Sequence, residues 1–468
     1  MSRTISWIAR SILTIGMLAG CISQPATVPT ITTSQSSEAT RTISLTASLP
    51  TFTPATSPIP GGLYVDPGKE LGSISPYIYG TNYGPWIALP ASMIPDAKNA
   101  GMTIIRFPGG AWGDRNDLKD YQITQFIAFC NMLGAIPSFS VRLRNGTPEQ
   151  AAALVKLVNI DKKYGVKYWS IGNEPDLYGQ ELNIPYDTPQ FNQEWRAFAL
   201  QMKAVDPTII LIGPEVSQFT PDPQKNKKDS AGRDWMIEFL KSNGDLVDII
   251  SIHRYPFPKI ITESTSVNDL RKDAGEWTKI IRYLNALITE TTGRHIPIAI
   301  TEFSTHYNKA VGGEATPDSH FAGIWLGSLI GQFISEDVLI ANQWLLTTSG
   351  DSGSWGLIGR GELRPTYYTY QMYKMFGVLQ VFSSSDNQAV SIAAAKNKEG
   401  ALTIMLVNLA DESIAAPLSM TGYAISDSSQ LWLFDKEHNV EKQPIADFIK
   451  HDQITLPGQS MVLLVINK

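Results

Sequence analysis

Tyr168-Trp169-Ser170-Ile171-Gly172-Asn173-Glu174-Pro175 and Ile298-Ala299-Ile300-Thr301-Glu302-Phe303 share one design: a short apolar run that ends at a glutamate. Runs this short, apolar at successive positions, are buried on both faces, as strands are inside a parallel sheet. Six further runs have the same texture, at 77–82, 102–107, 136–143, 209–214, 247–253 and 339–345. Helix-like segments lie between them, among them 120–133, 148–164, 192–205, 233–242, 278–292 and 319–335. Strands alternating with helices imply right-handed βαβ units. Eight such units close into an α/β fold, the (β/α)8 TIM barrel. The segment after Asn82 is broken by Pro85, Pro90 and Pro95, so the first helix is expected to be short.

After residue 375 the texture changes. Strand-like runs at 378–383, 389–395, 401–408, 429–434 and 461–466 are separated by polar turns such as Lys396-Asn397-Lys398-Glu399-Gly400. Only 444–450 suggests a helix. This pattern predicts an antiparallel β-sandwich over 376–468, appended to a barrel over 61–375. Residues 62–66 are expected to add a strand to it.

The 468 residues carry a net charge of −6, and only 18% are charged. A nucleic-acid partner would need a clustered basic excess, so none is expected. The composition also excludes a disordered chain, a coiled coil and a polytopic membrane protein. Of two cysteines, Cys21 closes Leu18-Ala19-Gly20-Cys21, behind Arg3, Arg10 and an apolar stretch too short to span a bilayer. Leu-Ala-Gly-Cys resembles a bacterial lipobox. That resemblance implies a lipoprotein signal at 1–21, lipidation of Cys21 and attachment to a membrane in the cell envelope, facing outside the cytoplasm. Residues 22–60 contain 17 Ser or Thr and 6 Pro, with only Glu38 and Arg41 charged. Such a segment has too little apolar surface to fold and reads as a linker reaching roughly 35 Å. Cys130 then has no partner for a disulfide.

In a barrel, the residues that meet a ligand sit at the C-terminal strand ends. The fourth run ends with Asn173 and Glu174, the seventh with Glu302. The second carries Arg106, in Ile105-Arg106-Phe107-Pro108-Gly109-Gly110. The sixth carries His253 and Tyr255, and the eighth ends near Trp344. Two carboxyls facing across a pocket suit glycosidic bond cleavage: one donates a proton to the departing oxygen, the other faces the anomeric carbon ionised. At about 5–5.5 Å the second attacks directly; a wider gap admits water and inverts configuration. An ionised Glu302 would keep Glu174 protonated, and Arg106 would stabilise the ionised partner. Taken singly, Asn173-Glu174-Pro175 also fits a helix start and Glu302 a surface acid. The combination, spread over four strand ends, favours catalysis.

Asn173-Glu174 on the fourth strand and Glu302 on the seventh resemble the clan of retaining glycoside hydrolases with (β/α)8 barrels, over roughly residues 74–375. Ile74-Ser75-Pro76-Tyr77-Ile78-Tyr79-Gly80-Thr81-Asn82, Arg106-Phe107-Pro108-Gly109-Gly110 and the terminal β domain are similar to the α-L-arabinofuranosidase, β-xylosidase, xyloglucanase-type endoglucanase and heparanase-like families. Ser170 stands where an arabinofuranosidase more often has Glu. The resemblance implies that Glu174 is the acid/base and Glu302 the nucleophile. It implies that Asn173 bonds the sugar 2-hydroxyl, that Tyr255 positions Glu302 with His253 beside it, that Arg106 holds Glu302 charged, and that Trp344 is a stacking floor. The implied partner is a carbohydrate, cleaved by double displacement; the other readings are an inverting hydrolase or a sugar-binding lipoprotein on a degenerate barrel.

Away from this constellation, Arg142 and Arg144 suit a uronic acid carboxylate or a solvated loop, and Trp86, Trp112, Tyr178 and His306 fall on upper loops. His253, His295, His306 and His320 lack metal-ligand spacing, so neither a metal nor another cofactor is expected. Phe107-Pro108-Gly109-Gly110 reads equally as a tight turn or as backbone passing close to a ligand.

Overall fold

A computed structural model describes residues 60–256, 266–308, 314–349, 352–359, 361–450 and 452–467. The lipobox with Cys21, and the linker as far as residue 59, lie outside the described residues.

Eight parallel strands close a barrel: β2 (Gly80–Asn82), β3 (Ile104–Phe107), β4 (Ile136–Val141), β5 (Tyr168–Ile171), β6 (Ile210–Val216), β7 (Ile249–Arg254), β8 (Ile298–Phe303) and β9 (Ile340–Gln343), with β9 pairing back to β2. All eight apolar runs are therefore strands. At the seam, a Cβ on Gly80 would overlap Asn342, Ile104 and Ala341, so only glycine lets these strands meet. Side chains alternate along each strand. On β3, Ile105 and Phe107 join the large core beneath the helices. Ile104 instead joins Tyr168, Ile212, Ile249, Ala299 and Ile340 in a separate cluster that fills the barrel. Arg106 shares the parity of Ile104 and points into the barrel above it. The first helix is short, as expected: Ile94–Ala100, entered through a 3-10 turn at Ala91–Met93.

The helix His320–Ser335 is buried nearly all round, which marks a core helix rather than a half-exposed one. Its stripe of Gly323, Gly327 and Gly331 explains how neighbours come so close. A Cβ on Gly323 would lie 2.8 Å from the carbonyl oxygen of Pro365, and one on Gly327 would run into Met461.

The C-terminal strands differ from the expected sandwich. They are β10 (Leu379–Ser385), β11 (Val390–Lys396), β12 (Leu402–Asn408), β13 (Ile414–Met420), β14 (Gln430–Phe434), β15 (Asn439–Gln443), β16 (Ile449–Lys450), β17 (Gln453–Leu456) and β18 (Ser460–Ile466). With β1 (Leu63–Ser73) they form one ten-stranded sheet, in the order β15-β14-β18-β12-β11-β10-β1-β13-β17-β16. It is antiparallel except where β1 runs parallel to β13. Two separate sheets are replaced by one half-barrel because β1 bridges β10 to β13, and the sheet then curls until β17 returns to β12 and β18. Asn408 ties that closure, its amide donating to the carbonyls of Leu456 at 3.2 Å and Pro457 at 2.8 Å. β12 is buried along its whole length. Ile404 and Leu406 fill the inside of the curl, while Met405 and Val407 pack with the barrel helices.

The glycine stripe makes a prediction. Gly323→Ala gains about 1 kcal/mol of helix propensity but forces the Cβ against a backbone carbonyl, an overpacking that costs about 1–3 kcal/mol. The expected result is a lower urea midpoint than wild type; an equal or higher midpoint contradicts this packing.

Candidate active site

Two β-bulges build the mouth of the barrel. On β6, Pro214 pairs with Ser251 and Val216 with Ile252, so Glu215 is an extra residue. On β8, Ile300 faces Ile252 but Glu302 faces His253, again one residue too many. Strict alternation would send Glu215 and Glu302 outward, Glu302 on the side of Ile298 and Ile300. A bulge re-aims the side chain, and both carboxylates turn inward. Glu215 has a left-handed backbone, φ 61°, as does Glu174 at the end of β5, φ 49°. Such angles are costly for residues with a Cβ and persist only where surroundings impose them. Here the Glu174 N–H donates to the Glu215 carbonyl at 3.0 Å. Beneath the same turn, buried Asp114 accepts the N–H of Asn173 at 2.7 Å, the N–H of Leu143 at 3.0 Å and the hydroxyl of Tyr178.

Arg106 is the centre of the arrangement, only 1% exposed. Its Nη1 donates to Asn82 Oδ1 at 3.1 Å and to Glu302 Oε2 at 3.4 Å. Its Nη2 donates to Asn173 Oδ1 at 3.0 Å and lies 3.2 Å from Glu215 Oε2. The Tyr255 hydroxyl donates to Glu302 Oε1 at 2.5 Å. His253, fully buried, has Nδ1 3.2 Å from Glu174 Oε1 and Nε2 2.6 Å from Glu215 Oε2. Oxygens of Glu174 and Glu302 and a ring nitrogen of His253 all lie within 4.8 Å of one another. Three such atoms suffice to touch a cation, but the same histidine nitrogen already meets a carboxylate, and both carboxylates have protein donors.

The electrostatics follow from this crowding. Burial works against charge on Glu215, yet Arg106, then His253 and Thr301, hold its pKa at about 2. Burial likewise opposes a charged His253, but Glu302, Glu174 and Glu215 raise its pKa to about 10. Glu302 is pushed upward, first by burial and then by the charge of Glu174, against the pull of His253, Arg106 and Tyr255. Arg106 therefore does not act on Glu302 alone: it is shared with Glu215, and His253 and Tyr255 share its task.

The structure brings Glu174, Glu302, Arg106, Asn173, His253 and Tyr255 into one cluster. Trp344 stands beside it at the end of β9, half-buried, stacked on Trp86 with ring centroids 6.0 Å apart and planes at 28°. Gly109 and Gly110 serve this ring, since a Cβ on Gly110 would lie 2.6 Å from Trp344. The glycine pair thus makes room for a side chain. Arg142 pairs with Asp117 at 3.3 Å and Arg144 with Glu181 at 2.6 Å, so both are engaged within the loops. Sequence reasoning missed Glu215, Asn82 and Asp114. Gly213-Pro214-Glu215 carried a usable signal, a third glutamate at a strand end.

His253 yields a pH prediction. Its pKa is about 6.5 unfolded and about 10 folded. The stabilisation is therefore fully present below pH about 6.5 and lost as pH rises through 10. Urea midpoints at pH 6, 8 and 10 should fall for wild type, and the fall should be smaller in His253→Gln; parallel slopes in the two proteins contradict the assignment.

No family model matches the chain. It is 20% identical over 429 residues to an intracellular exo-alpha-L-arabinofuranosidase of Bacteroides ovatus, a match covering 75% of this chain and 76% of that one. It is 23% identical over 223 residues to the alpha-L-arabinofuranosidase C of Emericella nidulans, covering 35% of this chain and 43% of that one. The chain thus matches less than half the length of its fungal relatives. Among solved structures, it resembles the alpha-L-arabinofuranosidase of Thermotoga maritima in complex with arabinose (TM-score 0.67, 19% identity, 86% of this chain and 99% of that one). It also resembles a Paenibacillus polymyxa xyloglucanase of glycoside hydrolase family 44 with xyloglucan (TM-score 0.66, 17% identity, 87% and 99%). A bifunctional glucanase-xylanase, CelM2, from a metagenome library has a TM-score of 0.66 at 16% identity, over 86% of this chain and 98% of that one. In fold, the chain is a (β/α)8 barrel with an appended β sheet, similar to these solved structures.

Proposed function

We propose that the chain is a retaining glycoside hydrolase acting on a plant-type polysaccharide or its oligosaccharides. The observation that carries this reading is the approach of Glu174 and Glu302, with oxygens within 4.8 Å of one another. That approach suits direct attack by a carboxylate, whereas an inverting pair needs about 6.5–9.5 Å to hold a water between. The names of the relatives, arabinofuranosidases and xyloglucanase among them, support glycoside chemistry and point to pentose-bearing substrates.

The environments separate the two roles. Glu302 is held from both sides, by Tyr255 on Oε1 and Arg106 on Oε2, which fixes it for in-line attack on the anomeric carbon. Glu174 is the more exposed acid, at 20% for its side chain against 8% for Glu302, as a group that meets both a leaving group and a water must be. In the first step Glu302 bonds the anomeric carbon while Glu174 gives its proton to the departing oxygen. In the second, Glu174 takes a proton from water, which displaces Glu302. Asn173, fixed by Arg106, is placed to bond the neighbouring sugar hydroxyl, and the Trp344 ring provides an apolar floor.

Aryl xylosides, arabinofuranosides, glucosides and glucuronides, with β-glucans, form the test panel. Glu302→Ala should abolish turnover with the fold retained. Glu174→Ala should slow poor leaving groups by about 10²–10⁴-fold and activated aryl glycosides far less. Undiminished turnover in Glu302→Ala sinks the reading, and an inverted first-formed anomer in proton NMR removes the retaining mechanism.

We further propose that the enzyme works outside the cytoplasm on a lipid anchor at Cys21. This rests on the Leu18-Ala19-Gly20-Cys21 motif and the Ser/Thr/Pro-rich segment behind it. Radiolabelled fatty acid should be incorporated by wild type and lost in Cys21→Ala; absence of label in wild type rejects the anchor.

A further inference from the structure

Glu215 is a fully buried carboxylate to which the hydrolytic scheme gives no task. Three groups converge on its Oε2: Arg106 Nη2 at 3.2 Å, the Thr301 hydroxyl at 2.7 Å and His253 Nε2 at 2.6 Å. Among the described residues, its buried Oε1 has no hydrogen-bond partner. Beside the permanent cation of Arg106 such a carboxylate is ionised and can only accept, so His253 Nε2 must carry a proton. The other ring nitrogen faces two more carboxylates, Glu174 Oε1 at 3.2 Å and Glu302 Oε2 at 3.9 Å. That side of the ring favours a proton as well. The charged and titratable groups around the imidazole are therefore Glu174, Glu215 and Glu302, with Arg106 behind Glu215 and the Tyr255 hydroxyl behind Glu302.

We propose that Glu215 is a positioning residue which keeps His253 doubly protonated, so that the Nδ1–H fixes which oxygen of Glu174 faces the substrate. The proposal rests on the hydrolase reading above. Oε1 of Glu174 is occupied by the imidazolium, and among the described residues Oε2 has no protein donor. Oε2 is then the oxygen that carries the exchangeable proton. It passes that proton to the departing glycosidic oxygen and later recovers one from water, while His253 keeps both of its own throughout. The negative charge that appears on Glu174 between the steps meets a cation already in place, without reorganisation. The raised pKa of His253 and the depressed pKa of Glu215 agree with this geometry.

The test is nitrogen NMR of the full chain labelled with 15N-histidine, His253 being assigned by its loss in His253→Gln. In wild type both ring nitrogens of His253 should remain protonated from pH 5 to about 8.5. In Glu215→Gln, a near-isosteric change, the ring should lose its second proton at a clearly lower pH than in wild type, because only Glu174 and Glu302 then favour it. In the same variant kcat for a poor-leaving-group glycoside should fall about 10²-fold, with KM nearly unchanged. Glu215→Asp, which retains the charge, should recover part of both signals. A wild-type His253 that is neutral at pH 7 overturns the proposal, and that measurement stands even if Glu215→Gln fails to fold. Unchanged protonation in a folded Glu215→Gln also overturns it. Absence of any glycoside cleavage by wild type removes the hydrolase reading and the positioning role together, whereas cleavage with a neutral His253 removes the positioning role alone.

Discussion

The mouth of the barrel depends on one buried cation. Arg106 cannot lose its charge, and burying it unpaired would cost several kcal/mol. Its fork therefore has to find acceptors inside the barrel, and it takes them from β2, β6, β8 and the turn after β5: Asn82, Glu215, Glu302 and Asn173. Four segments far apart in sequence are thereby held to one point. Each carboxylate, in turn, is made tolerable at that depth in part by the guanidinium.

A second cation, the His253 ring, completes the balance. Two carboxylates brought as close as Glu174 and Glu302 repel, and burial compounds the difficulty. Tyr255, Arg106 and His253 divide the work of holding them. The result is a site whose donors point at fixed positions before any ligand arrives, which is the condition for electrostatic catalysis. The backbone bears part of the cost through the left-handed angles at Glu174 and Glu215.

How much of this could be read from the chain depends on periodicity. The eight barrel strands were legible because buried parallel strands leave unbroken apolar runs, and strand ends marked Glu174, Glu302, Arg106, His253 and Tyr255. Glu215 escaped because the apolar run of the fifth strand stops at Pro214 and a bulge has no period of its own. The same cause hides why Glu302 points inward at all. Gly109-Gly110 was ambiguous because its reason, the Trp344 ring, comes from more than two hundred residues away. The sandwich expectation failed in a different way. Strand-like texture was recognised for β10, β11, β12, β14 and β18, but whether strands form two sheets or one is decided by the single bridge β10-β1-β13, a non-local pairing that no local pattern announces.

That bridge also sets the order of assembly. β1, which begins at Leu63, has its partners β10 and β13 beyond residue 378, so in a growing chain it stays without them until those C-terminal strands have been made. Until then the glycine-striped helix His320–Ser335, which ends up buried by β11, β12 and β18, has an uncovered apolar face. The curled sheet is thus a clasp that cannot shut before the C-terminal strands are made, and a nascent chain halted before them presents that apolar face to its neighbours.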